Sequence, residues 1–483
     1  MDYKSASIPA EVSPDQSTIE KARSTIKTSL SDKGIGLEQI ETHLRQDITQ
    51  GLSNSSKSSR YYGFVTGGAT PAAQAADNIV TEFDQNVQVH LPTETIATDV
   101  EYHTLNMLCE LLDLDPHQWR HKTFTTGATA SNIIGLACAR EHVLQKAGDY
   151  QGVPFSVAED GLLEVARFAK VQILTTVPHS SIRKAAAIVG LGHKSVVDCS
   201  VESTPYKFDL DKLENALSRP YTASIIMISC SEVNTGMFAT GNRQEMEQIR
   251  RLADSRRAWI HVDAAFGFMA RLLPATQNYS RVRAGAEGLE LADSITGDGH
   301  KMLNVPYDTG FFLSKHLETG TQVFQNPNAV YLAAGASMIP SPLNIGLENS
   351  RRFRALPVYA NLVAYGRAGY ADMIERQVTL ARMIADYLRT SSHYTVYEPS
   401  PNMSREDALS SIFVIVLFRA VDDSINERLV DSIKETRKIY CSGTQWQGRP
   451  AARFAISNWK CDPARDFAVI KDVLEEVLII SDA

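Results

Sequence analysis

The chain has few cysteines, no long apolar run and no surplus of positive charge. Its six cysteines (Cys109, Cys138, Cys199, Cys230, Cys441, Cys461) lie far apart in 483 residues and form no CxxC pair. In a chain this long, that spacing argues against a disulfide scaffold and predicts reduced thiols in a cytoplasmic protein. The most apolar run, SIFVIVLF (Ser411 to Phe418), is strand length and far short of a membrane span. Lys and Arg number 48 against 56 Asp and Glu, a net charge of -8. That balance argues against nucleic acid or an anionic membrane as a partner. The polar opening MDYKSASIPAEVSPDQ has no apolar signal core. No internal repeat occurs, and the serine cluster SNSSKSSR is the one biased tract.

What is present is an ordinary globular composition, 43% hydrophobic and 22% charged. The length predicts two or three lobes rather than one core. Two amphipathic helices are expected near the start. The first begins near Pro14 and places Ile19, Ala22, Ile26 and Leu30 on one face; the second runs from about Leu37 to Leu52. They form no core alone, so they are expected to pack on the body or on another subunit. From about residue 60 to 350, short apolar runs (KTFTT, VQILTT, ASIIMIS, AWIHVD, ADSIT, GFFLS) alternate with helical stretches. Such alternation predicts an α/β body, a mostly parallel sheet with helices on both faces. A long helical stretch, Arg351 to Arg389, then leads to a smaller lobe with strands YTVYE, SIFVIVLF and AARFAIS and a last helix near Ala464 to Leu478. The division expected is 1–60, 61–350 and 351–483.

Two stretches carry the chemistry. HVDAAFG (His261 to Gly267) follows an apolar strand and puts Asp263 at its carboxyl end, and SITGDGHK puts Lys301 beyond another strand. In an open parallel sheet those ends line the ligand crevice. Singly, Asp263 reads as a helix cap or ion-pair partner and Lys301 as a surface amine. Together they are the pair that pyridoxal phosphate (PLP) needs, an amine for the Schiff base and a carboxylate to keep the ring nitrogen protonated. The small residues after Asp263 suit a flat ring, with Ala265 under one face. TTGATASN (Thr125 to Asn132) joins a strand to a helix and offers Gly127, Ala128 and Thr129 to a phosphate. His179, between the strand VQILTT and a helix, reads as a cap, a packed ring or a stacking partner. Tyr331 lies in the glycine- and serine-bearing stretch NPNAVYLAAGASMIP.

HVDAAFG, DGHK followed by LNVPYDTG, PHSSIRKAA and SRRFRALPVYANLVAYG resemble, in combination, the group II PLP-dependent decarboxylases. That family acts on aromatic amino acids, histidine, glutamate and diaminobutyrate. The resemblance runs from about Tyr61 to Ser457 and implies the type I PLP-dependent transferase fold. This is a seven-stranded, mostly parallel sheet with a smaller α+β C-terminal domain, in a homodimer whose N-terminal helices exchange between subunits. By position it implies that Lys301 forms the Schiff base, Asp263 faces the ring nitrogen and His179 stacks on the ring. Asp298, Ala265 and His300 join the cofactor set with Gly127, Ala128 and Thr129; no metal is implied. Tyr331 falls where the family carries a loop tyrosine that protonates the carbanion after carbon dioxide leaves, and relatives with phenylalanine there tend to make aldehydes. Phe64, Val65, Thr66 and Tyr307 match positions lining the substrate side chain. One departure is SEVNTG where GTT commonly precedes the turn; it sets Glu232 beside the cofactor, where a carboxylate could select a cationic substrate. The loop after Tyr331 also lacks the histidine pattern of animal aromatic decarboxylases. The implied activity is decarboxylation of an L-amino acid to its amine. Its rivals are oxidative aldehyde synthesis, another PLP lyase, or a scaffold that has lost catalysis.

Overall fold

The computed structural model describes residues 3, 4, 6–165, 167, 169–326 and 339–481. Its main sheet has seven strands: His121–Thr125 (β1), Lys170–Thr175 (β2), Val196–Asp198 (β3), Thr222–Ser229 (β4), Trp259–Asp263 (β5), Ser294–Asp298 (β6) and Gly310–Ser314 (β7). Their order is β1-β7-β6-β5-β4-β2-β3. Strands β3, β2, β4, β5 and β6 pair in parallel. Strand β7 runs antiparallel to β6 and β1. The reason is chain length: only residues 299–309 separate β6 from β7, too short for the helical crossover that a parallel return requires.

Every residue of β1, β5, β6 and β7 is buried. Helices cover both faces, which is why these strands read as continuous apolar runs rather than alternating ones. Strand β3 escaped the sequence reading. It is a three-residue edge strand, buried at Val196 and exposed by Asp198, and so leaves no apolar run. The helix Ala128–Gln151 lies against β4 to β7 and β1. It approaches closely because Gly135 is bare: a Cβ there would stand 2.4 Å from Cε1 of His261.

A second sheet takes Tyr61–Tyr62, Tyr440–Trp446, Arg449–Ala455, Ile415–Ala420 and Tyr394–Val396 in that spatial order. Two of these strands are absent from the sequence expectation. Tyr440–Trp446 is polar and largely accessible, and Tyr61–Tyr62 is two residues long. SIFVIVLF is not one strand, since Ser411 ends a helix and the strand opens at Ile415. This sheet and the final helix, Pro463–Ser481, enclose their own apolar core, including Tyr62, Phe418, Phe454 and Leu474. The long helix runs Ala355–Thr390, interrupted at Gly366, whose φ of 55° suits glycine.

The N-terminal helices, Gln16–Thr25 and Leu37–His43, bury only Ala22. Ile26, Leu30, Leu37 and Leu52 stay exposed, Leu30 completely. Packing on the body of this chain, one of the two expectations, therefore fails for those side chains. Among the described residues no helix is long and apolar enough to cross a membrane. All six cysteines are buried and free.

Burial also sets an acid limit on stability. It pushes His121 down to about 4 and His261 down to about 3, against an ordinary value of about 6.5. The unfolded chain therefore takes up these protons first. The stabilising contribution is fully present above pH ~6.5 and is lost as pH falls toward the folded values, at up to about 1.4 kcal/mol per pH unit per histidine. Urea midpoints should fall steadily from pH 7 to pH 5 and fall less in His121→Gln. A midpoint constant over that range would contradict this account.

Candidate active site at the carboxyl edge of the sheet

The carboxyl ends of β4, β5 and β6 come into line, with Ser229 opposite Asp263 and Asp263 opposite Thr296. They open into a cavity of about 240 Å³. After β6 the chain makes one helical turn, Gly299–Met302, and this turn carries Lys301 to the cavity wall. Lys301 Nζ lies 2.8 Å from Asp298 Oδ2 and 5.7 Å from the centre of the Phe266 ring. The other oxygen of Asp298 accepts the Ala128 N–H at 2.5 Å. Asp298 thus ties the lysine to the start of the helix Ala128–Gln151. The N-cap residue of that helix is Gly127, which has no side chain of its own, so Asp298 is the side chain that caps the start.

Asp263 is buried, and its carboxylate accepts from Asn132 Nδ2 at 3.1 Å and from the Ala265 N–H at 3.1 Å. His179 caps the helix Ser180–Ile188, its Nδ1 accepting the Ser181 N–H at 3.2 Å. Its ring is open to the cleft. Desolvation by the surrounding protein lowers its pKa, opposed by Asp263 and assisted by Lys301. His300 Nδ1 accepts the Thr309 N–H at 3.2 Å. Burial lowers its pKa as well. Both rings are therefore held neutral near neutral pH.

The residues suit PLP. The helix start, with a glycine as N-cap and Thr126 to Ala130 lining the wall, is an anion seat for the phosphate. A Cβ on Gly127 would approach the His300 ring to 3.1 Å, so bare backbone is needed there. Asp263 presents a carboxylate, Ala265 a small surface and Lys301 an amine to the same cavity. Of the expected residues, Gly127, Ala128, Thr129, His179, Glu232, Asp263, Ala265, Asp298, His300 and Lys301 all line it.

Others do not. Val65 is packed into the core, and Thr66 is buried with its hydroxyl donating to the Gly63 carbonyl at 3.0 Å. Neither side chain is free to meet a substrate as expected. Phe64 and Tyr307 lie outside the cavity, 63% and 59% exposed. Tyr307 packs on His300 with ring centres 4.4 Å apart. Tyr331 lies outside the described residues. Glu232 reaches the wall, but its carboxylate turns back on its own loop. It accepts the Asn234 N–H at 2.9 Å and both the N–H and hydroxyl of Thr235. The loop is strained at Ser231, whose φ is 67°, and is held by the Ser231 hydroxyl donating to the Gly236 carbonyl at 2.8 Å.

Sequence reasoning left four neighbouring residues unassigned: Ser181 and Phe266, which line the cavity, and Asn132 and Arg453, which reach its wall residues Asp263 and Val233. Asn132 and Ser181 sit at the cofactor end of helices, where only a fold shows their partners. Phe266 was visible in HVDAAFG but unassigned. Arg453 comes from the second sheet. It is 6% exposed, and its NH1 donates to the Val233 carbonyl at 2.7 Å.

Residues 20–405 match the model of the pyridoxal-dependent decarboxylase conserved domain. An L-2,4-diaminobutyrate decarboxylase of Acinetobacter baumannii is 31% identical over 65% of this chain, a match spanning 58% of that relative's length. A phenylacetaldehyde synthase of Arabidopsis thaliana is 25% identical over 75% of this chain and 71% of its own. The crystal structure of Oryza sativa TDC with PLP and tryptamine superposes with a TM-score of 0.80. It is 20% identical and covers 99% of this chain and 95% of that one, a likeness that establishes the type I fold. With a lysine, a buried carboxylate and a helix start converging on one cavity, and the family model spanning most of the sequence, the chain belongs to the pyridoxal-dependent decarboxylases, the PLP-using amino-acid carboxy-lyases.

Proposed function

We propose that this chain removes the α-carboxylate of an L-amino acid as carbon dioxide and releases the amine, Lys301 being the residue that holds PLP. The observation carrying this reading is the convergence of Lys301 and Asp263 on one cavity at the carboxyl ends of neighbouring strands. Bound PLP supplies an electron sink that accepts the pair left by the departing carboxylate. The protein's work is to place and protonate. The helix start at Thr126 to Ala130 seats the phosphate. Asp263 holds a proton at the ring nitrogen and His179 covers the ring. Asp298, 2.8 Å from Nζ, orients the Lys301 amine. Tyr331 delivers a proton to the α carbon as a positioned general acid. Tyrosine at that position favours simple decarboxylation over aldehyde formation.

The exposed apolar side chains of the first 52 residues support a homodimer in which these helices cover a partner subunit. The division into segments 1–60, 61–350 and 351–483 belongs to the same reading, although Tyr61–Tyr62, which open the second segment, pair with Tyr440–Cys441 in the sheet of the third. A cytoplasmic location is also part of it.

Arg453 supplies the positive charge for the substrate carboxylate. Among the described residues its Nε has no hydrogen-bond partner, and its charge is felt at His179. Arg453→Met should raise KM on the order of 10- to 100-fold and leave the visible absorbance of bound PLP unchanged. An unaltered KM would remove Arg453 from the site.

The protein should be incubated with PLP and the L-amino acids, DOPA and diaminobutyrate included. Carbon dioxide, amine, aldehyde and hydrogen peroxide should be followed together. A diaminobutyrate decarboxylase among the relatives makes diaminobutyrate the first substrate to try. Amine equal to carbon dioxide supports the proposal. Aldehyde with peroxide would transfer the chain to the oxidative reading that the phenylacetaldehyde synthase relative represents.

A further inference from the structure

We propose that Asn132, oriented by His261, is the positioning residue that holds the Asp263 carboxylate as a hydrogen-bond acceptor at the cavity wall and His179 in its Nε2–H form. The proposal rests on the PLP reading above. Asn132 and His261 are not among the residues that line the cavity; they act through Asp263, Ser181 and His179, which are.

A continuous set of buried hydrogen bonds joins them. Trp259 Nε1 lies 2.8 Å from Ser294 Oγ, and Ser294 Oγ lies 2.7 Å from His261 Nδ1. His261 Nε2 lies 2.9 Å from Asn132 Oδ1. Asn132 Nδ2 then branches, 3.1 Å from Asp263 Oδ2 and 3.3 Å from Ser181 Oγ. Ser181 Oγ ends 2.8 Å from His179 Nδ1. Trp259, Ser294, His261, Asn132 and Ser181 are all buried.

The ends of this chain fix its direction. An indole N–H can only donate, and an ionised carboxylate can only accept. Asn132 turns Nδ2 to Asp263 and Ser181 and so turns Oδ1 to His261 Nε2, which donates; His261 Nδ1 then accepts from the Ser294 hydroxyl, itself an acceptor of the Trp259 N–H. His261 is fully buried, and desolvation holds it neutral. Its single ring hydrogen is therefore on Nε2 and points at Asn132 Oδ1, with Thr296 Oγ1 a longer second acceptor at 3.4 Å. Asn132 is thereby prevented from flipping, and both of its amide hydrogens face forward. One meets Asp263. That bond holds the carboxylate oxygen in place as an acceptor. The other meets Ser181, which passes its hydrogen to His179 Nδ1, where the Ser181 N–H also donates. The free hydrogen of His179 is left on Nε2.

The device is mechanically stiff. The His261 ring is pressed against the bare backbone at Gly135, where a Cβ would come to 2.4 Å. Asn132 stands one turn earlier on the same helix, the helix whose first residues line the phosphate seat. One rigid element therefore positions both the phosphate end and the ring-nitrogen end of the site.

The test uses full-length protein loaded with PLP labelled with ¹⁵N in the ring, read by ¹⁵N NMR, PLP titration and steady-state kinetics. Wild-type protein should show a protonated ring nitrogen; failure to bind PLP at all would overturn the functional reading and this inference with it. In Asn132→Leu the ring nitrogen should shift toward its unprotonated position. PLP affinity and kcat should each fall about 10- to 100-fold, as for other supporting residues, with KM little changed. His261→Phe keeps the ring volume, removes the Nε2–H and should shift the signal in the same direction. It carries the test if Asn132→Leu does not fold. His261→Gln, which restores an amide donor, should return the signal toward wild type. A wild-type ¹⁵N position and kcat in folded Asn132→Leu or His261→Phe would overturn the proposal.

Discussion

Lys301→Ala should abolish turnover, with kcat falling by about four orders of magnitude or more, as for other residues that form the covalent bond. The visible absorbance of covalently held PLP should vanish, and the cofactor should be lost on desalting. The reason lies in the geometry: Lys301 is the lysine among the cavity-lining residues, and Asp298 fixes its amine at 2.8 Å. The loss should not come from unfolding, because the Lys301 side chain is at the cavity wall rather than in the core. A variant that retained measurable turnover and bound absorbance would place the covalent chemistry on another lysine.

Asp263→Asn should be the next most damaging change, roughly 10²- to 10³-fold in kcat, the scale for removing a charge aimed at the reacting system. Asparagine keeps the shape but places an amide where the ring nitrogen requires an anion. It also sets that amide against Asn132, whose Nδ2 now donates to Asp263 Oδ2 at 3.1 Å. KM should change much less than kcat, because Asp263 acts on the electron demand of the ring and not on the amino acid. Steady-state kinetics of PLP-saturated protein decides this. A loss confined to KM would mean that Asp263 binds substrate instead.

Much of this arrangement is legible in the sequence. The central strands announce themselves because both of their faces are buried, leaving runs such as AWIHVD and ASIIMIS. The chemistry was legible where fold position and residue type coincide, as for Asp263 at the end of β5, Lys301 just past β6 and the glycine loop before a helix. Strands whose pairing is set by neighbours rather than by their own side chains were not legible. Val196–Asp198, Tyr61–Tyr62 and Tyr440–Trp446 are too short or too polar to stand out. The substrate wall was read least well. Val65 and Thr66 face inward, and Glu232 folds its carboxylate onto the following turn. The sequence gives a residue's identity, but a loop decides where its side chain points. Asn132 was hidden for a different reason: its partners His261 and Asp263 lie 129 and 131 positions away. No local pattern carries such a pairing.

If Lys301 holds PLP in this cavity, the lysine itself can be marked by loading the protein with PLP, reducing it with borohydride, digesting it and locating the added mass. The expected product is a phosphopyridoxyl group on the peptide bearing Lys301, absent when reduction is omitted and absent from Lys301→Ala. A label on a different lysine, Lys122 or Lys315 for example, or no label under saturating PLP, would contradict it.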